Sequence, residues 1–186
     1  MENYYTCPIE ELTKTSKIRL EVCDVEVDMY WKVAMEVLSV IEENNRKNKT
    51  TFMIVPYGPL GPYARIVYLV NKHRISLKNC VFCNMDEYIT DDGEYIDKND
   101  PLSFRGGMDR IFYSQIDDEL NVLPENRYFP DPKNPNIVLQ LIEKYGVPDM
   151  VFGGVGINGH YAFNEPPYGD EPCTNEEFLN RQTRVL

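Results

Sequence analysis

Residues 51–71 read TFMIVPYGPLGPYARIVYLVN, and they combine a strand pattern, a turn and a helix pattern. The apolar run at residues 51–55 is bounded by turn residues, which is typical of a strand buried on both faces. Prolines and glycines interrupt the run at residues 56–62, and apolar residues then recur at helical spacing over residues 63–71. The order strand, loop, helix is typical of a parallel α/β sheet.

The same alternation continues on both sides of this stretch. Further predicted strands cover residues 18–22, 80–83 and 149–152. A helical pattern follows Asp28, and another begins at Asn134 and Pro135 and ends at Gly146. We therefore predict one α/β domain over residues 1–186, with a Rossmann-like, mostly parallel sheet and helices on both faces.

Composition and charge exclude several classes of function. The chain has 19 Lys+Arg against 30 Asp+Glu, a formal net charge of -11, so we expect no nucleic-acid or anionic-membrane binding. No apolar segment has the length of a membrane span. The five cysteines are scattered and the first residues lack a secretory signal, which favours a reducing, cytoplasmic location.

Metal binding is not expected from the sequence. The CxxC spacing of Cys80 and Cys83 falls in a predicted strand, where positions three apart point to opposite faces, so we expect two buried thiols. No second cysteine pair completes a zinc site, and His73 and His160 are the only histidines. We interpret His73 as a solvated residue near a helix end.

Three predicted strands end in polar or glycine-rich clusters, at residues 57–62, 86–87 and 153–165. Ligands of parallel sheets bind beyond the carboxyl ends of the strands, so these clusters form the candidate site. Asp86 and Glu87 are either a solvated strand end or a partly desolvated pair in which one carboxylate has a raised pKa. His160 either hydrogen-bonds its own loop or works with Glu165 as an orienting partner.

A glycine pattern within the last cluster could indicate nicotinamide binding. Residues 154–159 match GxGxxG after a predicted strand. A dinucleotide site needs a helix directly after the glycines, and Pro166 and Pro167 leave no room for one. We therefore expect no dinucleotide cofactor.

Two longer motifs carry a resemblance. FCNMDEY at residues 82–88 and GGVGINGHYAFNEP at residues 153–166 resemble the glucosamine-6-phosphate deaminase (isomerase) family, which is related to the 6-phosphogluconolactonases. The similarity runs from about Thr51 to Leu186. Asn164, Glu165 and Pro166 favour the deaminase branch over the lactonases.

The resemblance implies a Rossmann-like fold and conversion of glucosamine 6-phosphate and water to fructose 6-phosphate and ammonia, without metal or cofactor. Asp86 resembles the base that moves a proton between C2 and C1 of the opened sugar, and Glu87 a supporting carboxylate. His160 resembles the residue that assists ring opening, and Glu165 the carboxylate that orients it. The residues expected to bind substrate are Tyr57, Gly58, Gly61, Gly154, Gly156, Asn158 and Gly159. Family members are often oligomeric, so a homo-oligomer is an open alternative.

The chain departs from the family pattern at three places. Asn158 replaces an aspartate, Pro59 and Pro62 remove amide donors from the loop that binds phosphate in the family, and the chain ends soon after Arg184, where the family continues. The chain is thus either the N-terminal two-thirds of the family domain or a shortened homologue. Two alternatives remain open: a sugar-binding homologue that does not deaminate, and an aldose-ketose isomerase for another sugar phosphate.

Overall fold

A computed structural model describes residues 6–15, 17–160, 162, 164, 173–174 and 176–177. The elements in chain order are α1 (Ile9–Thr15), α2 (Glu26–Arg46), β1 (Thr51–Val55), α3 (Gly61–His73), β2 (Cys80–Asn84), α4 (Phe104–Ile111), β3 (Arg127–Tyr128), α5 (Ile137–Tyr145) and β4 (Met150–Val151). None of these described helices is both long and apolar enough to cross a membrane.

The strands form a parallel sheet in the order β3-β2-β1-β4. β1 and β2 pair along their whole length, from Thr51 opposite Cys80 to Val55 opposite Asn84. β4 pairs with β1 on its other side, with Met53 opposite Met150. The prediction of a parallel α/β sheet is confirmed, and the strand order places the carboxyl ends of β2, β1 and β4 side by side.

Helices cover the two faces of the sheet unequally. Side chains alternate along β2, so Cys80 and Phe82 pack into one apolar cluster while Val81 and Cys83 pack into another. The larger cluster contains residues of α2, α3 and α4, and the smaller one contains Leu141 of α5. Cys80 and Cys83 are both buried free thiols on opposite faces, as predicted. Burial raises the pKa of the Cys83 thiol to about 12.

The predicted strand at residues 18–22 is wrong. The segment carries no strand pairing, and Ile18 and Val22 are 70% and 56% exposed. Alternating apolar residues fit one face of a strand, but a strand also needs a neighbouring strand with free backbone groups. No strand in the described part of the chain pairs with this segment.

The ends of three predicted helices shift, and α3 extends over Gly61–His73 rather than residues 63–71. α2 begins at Glu26, two residues before Asp28. α5 begins at Ile137 with Asn136 as its N-cap, and Asn134 lies in the preceding turn, where its amide bonds the Gln140 side chain. The predicted stop is confirmed: Gly146 has a φ of 86°, a left-handed conformation that glycine adopts without strain.

Candidate functional site

Three loops meet at the carboxyl ends of β1, β2 and β4. The backbone N–H of Met85 donates to the carbonyl of Val55 at 3.0 Å, which extends the pairing of β2 with β1 by one residue. A Cβ on Gly153 would lie 3.1 Å from Cε of Met85, and a Cβ on Gly154 would lie 3.3 Å from Cδ of Pro59. The loops after β1, β2 and β4 are therefore in contact, and the glycines allow this close approach.

Asp86 lies half-buried just beyond β2. Desolvation and the neighbouring Glu87 carboxylate raise the pKa of Asp86 to about 6, and the positive charge of His160 acts in the opposite direction. His160 therefore lies within electrostatic reach of Asp86, although 74 positions separate the two residues in the sequence. The structure brings these two predicted site residues together.

His160 closes a tight turn after β4. The N–H of Gly156 donates to the His160 carbonyl at 2.9 Å, and the N–H of His160 donates to Oδ1 of Asn158 at 3.3 Å. The imidazole lies against Gly156, where an added Cβ would be 2.1 Å from Nε2. Gly159 has a φ of 85°, which favours glycine. These contacts fix the His160 backbone, whereas Glu165 lies outside the described residues.

Glu87 holds the start of α4 in the site. Its side chain is 1% exposed and accepts hydrogen bonds from the N–H of Phe104 at 2.9 Å, the N–H of Arg105 at 2.7 Å and Oγ of Ser103 at 3.3 Å. Arg105 Nε also lies 3.3 Å from the carboxylate. A carboxylate at a helix N-terminus is stabilised by free backbone donors and by the helix dipole. Glu87 therefore holds the N-terminus of α4 in place, and both of its carboxylate oxygens already accept hydrogen bonds.

Aromatic rings join the first two loops through α4. Tyr57 stacks on Phe104 with centroids 4.6 Å apart, and Tyr88 contacts the same ring edge-on at 5.2 Å. A Cβ on Gly107 would lie 2.3 Å from the Tyr57 ring, so this glycine makes room for the stack. The predicted substrate residue Tyr57 thus also packs against α4.

The loop after β1 offers few backbone donors. Pro59 in the loop and Pro62 in the first turn of α3 have no N–H, and the N–H of Tyr63 donates to the Leu60 carbonyl at 3.1 Å. Gly58 has open space around its Cα, whereas a Cβ on Gly61 would lie 2.2 Å from the Tyr30 ring. The Tyr30 ring therefore leaves no room for a side chain at position 61, which explains the glycine there.

Ser103, Phe104 and Arg105 were not predicted as partners of Glu87, and Asn84 at the end of β2 was not predicted as a site residue. Asn84 carries a visible signal, because a polar residue ends an otherwise apolar strand. In the described ranges, no group of three or more His, Cys, Asp or Glu side chains could hold a metal ion.

The raised pKa of Asp86 predicts a pH-dependent cost to stability. On folding, the pKa of the Asp86 carboxyl rises from its ordinary 3.8 to about 6. The free energy of unfolding therefore falls as the pH rises from about 4 to 6, and this loss levels off above pH 6. Asp86→Asn should therefore gain stability relative to the native chain across this range, with no further gain at higher pH. Urea unfolding at pH 4, 5, 6 and 7 measures the difference. A difference independent of pH, as expected for the exposed control Asp92→Asn, would contradict the prediction.

Comparison with known proteins identifies relatives of one activity. No protein-family model matches the chain. It is 32% identical over 158 residues to a glucosamine-6-phosphate deaminase of Aliivibrio salmonicida, covering 82% of this chain and 57% of that protein. The corresponding protein of Bacteroides fragilis is 34% identical over 160 residues, covering 83% and 57%. The chain spans about 57% of the length of these two curated relatives.

Solved structures confirm the fold. A monomeric glucosamine-6-phosphate deaminase superimposes with a TM-score of 0.66 at 23% identity, covering 81% of this chain and 61% of that one. A 6-phosphogluconolactonase from Thermotoga maritima superimposes with a TM-score of 0.52 at 18% identity, covering 75% and 60%. The fold of this chain is therefore the Rossmann-like α/β fold that these two proteins share.

Proposed function

We propose that the chain belongs to the glucosamine-6-phosphate deaminase family and converts glucosamine 6-phosphate and water to fructose 6-phosphate and ammonia, because it is 32% and 34% identical to two curated deaminases over 82% and 83% of its length. The observation that carries the proposal is the placement of Asp86 within electrostatic reach of His160 at the joined strand ends. We propose that the reaction needs no metal or cofactor.

Asp86 is the proposed base. It takes the proton from C2 of the opened sugar and returns it to C1, while the C1 oxygen gains a proton and the amino nitrogen loses one. This leaves an imine at C2, which water hydrolyses with release of ammonia. Its pKa of about 6 suits this role, because the carboxylate is ionised near neutral pH and can still accept a proton. The half-buried position also supports it, since fewer water molecules compete with the substrate.

His160 is the proposed group that exchanges protons during ring opening. A histidine suits this step because its charge changes within the physiological pH range. The turn at residues 156–160 supports the role by fixing the His160 backbone through Asn158 and Gly156. We propose from the motif alone that Glu165 orients the imidazole.

The supporting residues shape the space around these two groups. We propose that Glu87 acts through α4, because its hydrogen bonds hold Phe104, which in turn stacks on Tyr57. The proposed substrate-binding residues of the loops after β1 and β4 are Tyr57, Gly58, Gly61, Gly154, Gly156, Asn158 and Gly159. We also propose that residues 1–186 fold as one domain and act in the cytoplasm, a location that the free thiols of the described cysteines support.

The direct test is a coupled assay for ammonia and fructose 6-phosphate with glucosamine 6-phosphate as substrate. We expect stoichiometric formation of both products, and the activity should increase as the pH rises through about 6, because Asp86 must be ionised to act. Absence of either product over the range pH 5 to 9 would contradict the proposed function.

A sugar-binding homologue without deamination is the second candidate. It is supported by Asn158, which carries no charge, and by Pro59 and Pro62, which remove amide donors from the loop after β1 and from the start of α3. Calorimetry with glucosamine 6-phosphate distinguishes the two candidates: binding without turnover would support this one. An aldose-ketose isomerase would instead convert another sugar phosphate, which a substrate panel would reveal.

A further inference from the structure

A buried asparagine at the end of β2 has unused hydrogen-bonding capacity. Asn84 is 1% exposed, and neither Nδ2 nor Oδ1 has a hydrogen-bond partner in the part of the chain that the structure describes. Two other buried asparagines use their amides: Nδ2 of Asn44 donates to Oγ1 of Thr51 at 3.1 Å, and Nδ2 of Asn121 donates to the Tyr113 carbonyl at 2.6 Å. A buried amide without a partner is costly, so the position of Asn84 needs an explanation.

Asn84 lies on one face of β2, two residues before Asp86. Strand alternation places Asn84 with Cys80 and Phe82, on the face that α2, α3 and α4 cover. Tyr63 of α3 packs on that face, and its pKa is raised by burial, by Tyr113 and by the Asp86 carboxylate. Asp86 therefore also lies within electrostatic reach of this face, two residues beyond Asn84.

The Asp86 carboxylate also has unused capacity. Burial and neighbouring charges account for the pKa of Asp86, and no described residue donates a hydrogen bond to its carboxylate. A base without an orienting hydrogen bond can adopt several side-chain rotamers, and a positioned base is more effective. Two complementary groups are thus separated by one residue in the sequence, an amide and a carboxylate, and no described residue hydrogen-bonds either of them.

We propose that Asn84 is a positioning residue for Asp86, whose carboxamide rotates into a hydrogen bond with that carboxyl group. Nδ2 donates to the ionised carboxylate, and Oδ1 accepts from the protonated form, so one amide serves both states of the base. The contact itself belongs to the ligand-free protein. Its consequence for catalysis rests on the proposed function.

None of the described charged or titratable groups around Asp86 donates a hydrogen bond to its carboxylate. Glu87 on the same loop is occupied by the start of α4, His160 from the loop after β4 supplies positive charge, and Tyr63 of α3 donates its hydroxyl to the Pro56 carbonyl. Asn84 adds a neutral dipole to these groups. It can stabilise the carboxylate without adding a charge to the cavity.

Carbon-13 NMR of labelled aspartate carboxyls tests the contact in the ligand-free protein. The Asp86 resonance, assigned by its loss in Asp86→Asn, should titrate about one pH unit higher in Asn84→Leu, because the charge-assisted hydrogen bond lost by the ionised form is stronger than the neutral one lost by the protonated form. Asn84→Ala, a smaller replacement, should give the same shift if the leucine variant does not fold. The matched control Asn121→Leu removes a buried amide elsewhere and should leave the Asp86 midpoint in place.

Kinetics test the consequence. The acid limb of the pH profile of kcat/KM for glucosamine 6-phosphate should move upward by the same amount as the NMR midpoint in both Asn84 variants. An unchanged midpoint and an unchanged acid limb would overturn the role of Asn84. If the native chain shows no turnover, the proposed function fails, and the NMR titration still decides whether Asn84 contacts Asp86.

Discussion

Asp86→Asn is expected to lower kcat for ammonia release from glucosamine 6-phosphate by roughly 10²- to 10⁴-fold, which is the usual contribution of a general base. The substitution keeps the size of the side chain and its position beyond β2, but an amide cannot accept the proton from C2. KM should change little, because the uncharged side chain still fills the same space. Steady-state kinetics at pH 8, where the native carboxylate is ionised, measure the effect.

The control for this experiment is Asp92→Asn. Asp92 is exposed in the turn of the loop that follows Asp86 and Glu87, so its substitution makes the same chemical change six positions from the proposed base. Turnover of Asp92→Asn should equal that of the native chain. Turnover of Asp86→Asn within a factor of two of the control would remove Asp86 from its proposed role.

Glu87→Ala is expected to lower the free energy of unfolding by about 3 kcal/mol, as for other broken buried ion pairs. The substitution leaves Arg105, which is 19% exposed, without its carboxylate. It also removes the acceptor for the N–H groups of Phe104 and Arg105 at the start of α4. Urea unfolding at pH 7 measures the loss.

Glu94→Ala is the matched control. Glu94 forms an exposed ion pair with Lys133 at 2.8 Å, and such pairs contribute only about 0–1 kcal/mol. The loss of unfolding free energy in Glu87→Gln should lie between those of Glu87→Ala and Glu94→Ala, because the glutamine amide oxygen still accepts one hydrogen bond from α4. Equal losses for Glu87→Ala and Glu94→Ala would show that Glu87 does not hold the helix.

The central strands of the fold could be predicted because they are apolar runs bounded by turn residues. β1 and β2 are buried on both faces, so nearly every position is apolar, and the helices that cover them show apolar residues at helical spacing. The failure at residues 18–22 has a different origin. The sequence shows which side chains could share a face, whereas strand formation depends on a partner supplied by the tertiary fold.

The site could be predicted in part from the topology of a parallel sheet. Because the carboxyl ends of neighbouring strands meet at one edge, Asp86 and His160 are expected to lie together, and the structure places them so. The role of Glu87 could not be predicted in this way, since its partners Ser103, Phe104 and Arg105 lie 16 to 18 positions downstream. The unused amide of Asn84 becomes visible only when its neighbours in space are known.

The proximity of Asp86 and His160 is the feature on which the proposed mechanism depends, and carbon-13 NMR of the Asp86 carboxyl group measures it. His160→Gln should raise the pH at which Asp86 titrates, because the positive charge of the imidazole favours the ionised carboxylate. His73→Gln, at the exposed end of α3, should leave that pH unchanged. An Asp86 midpoint that is the same in His160→Gln, His73→Gln and the native chain would contradict a shared site.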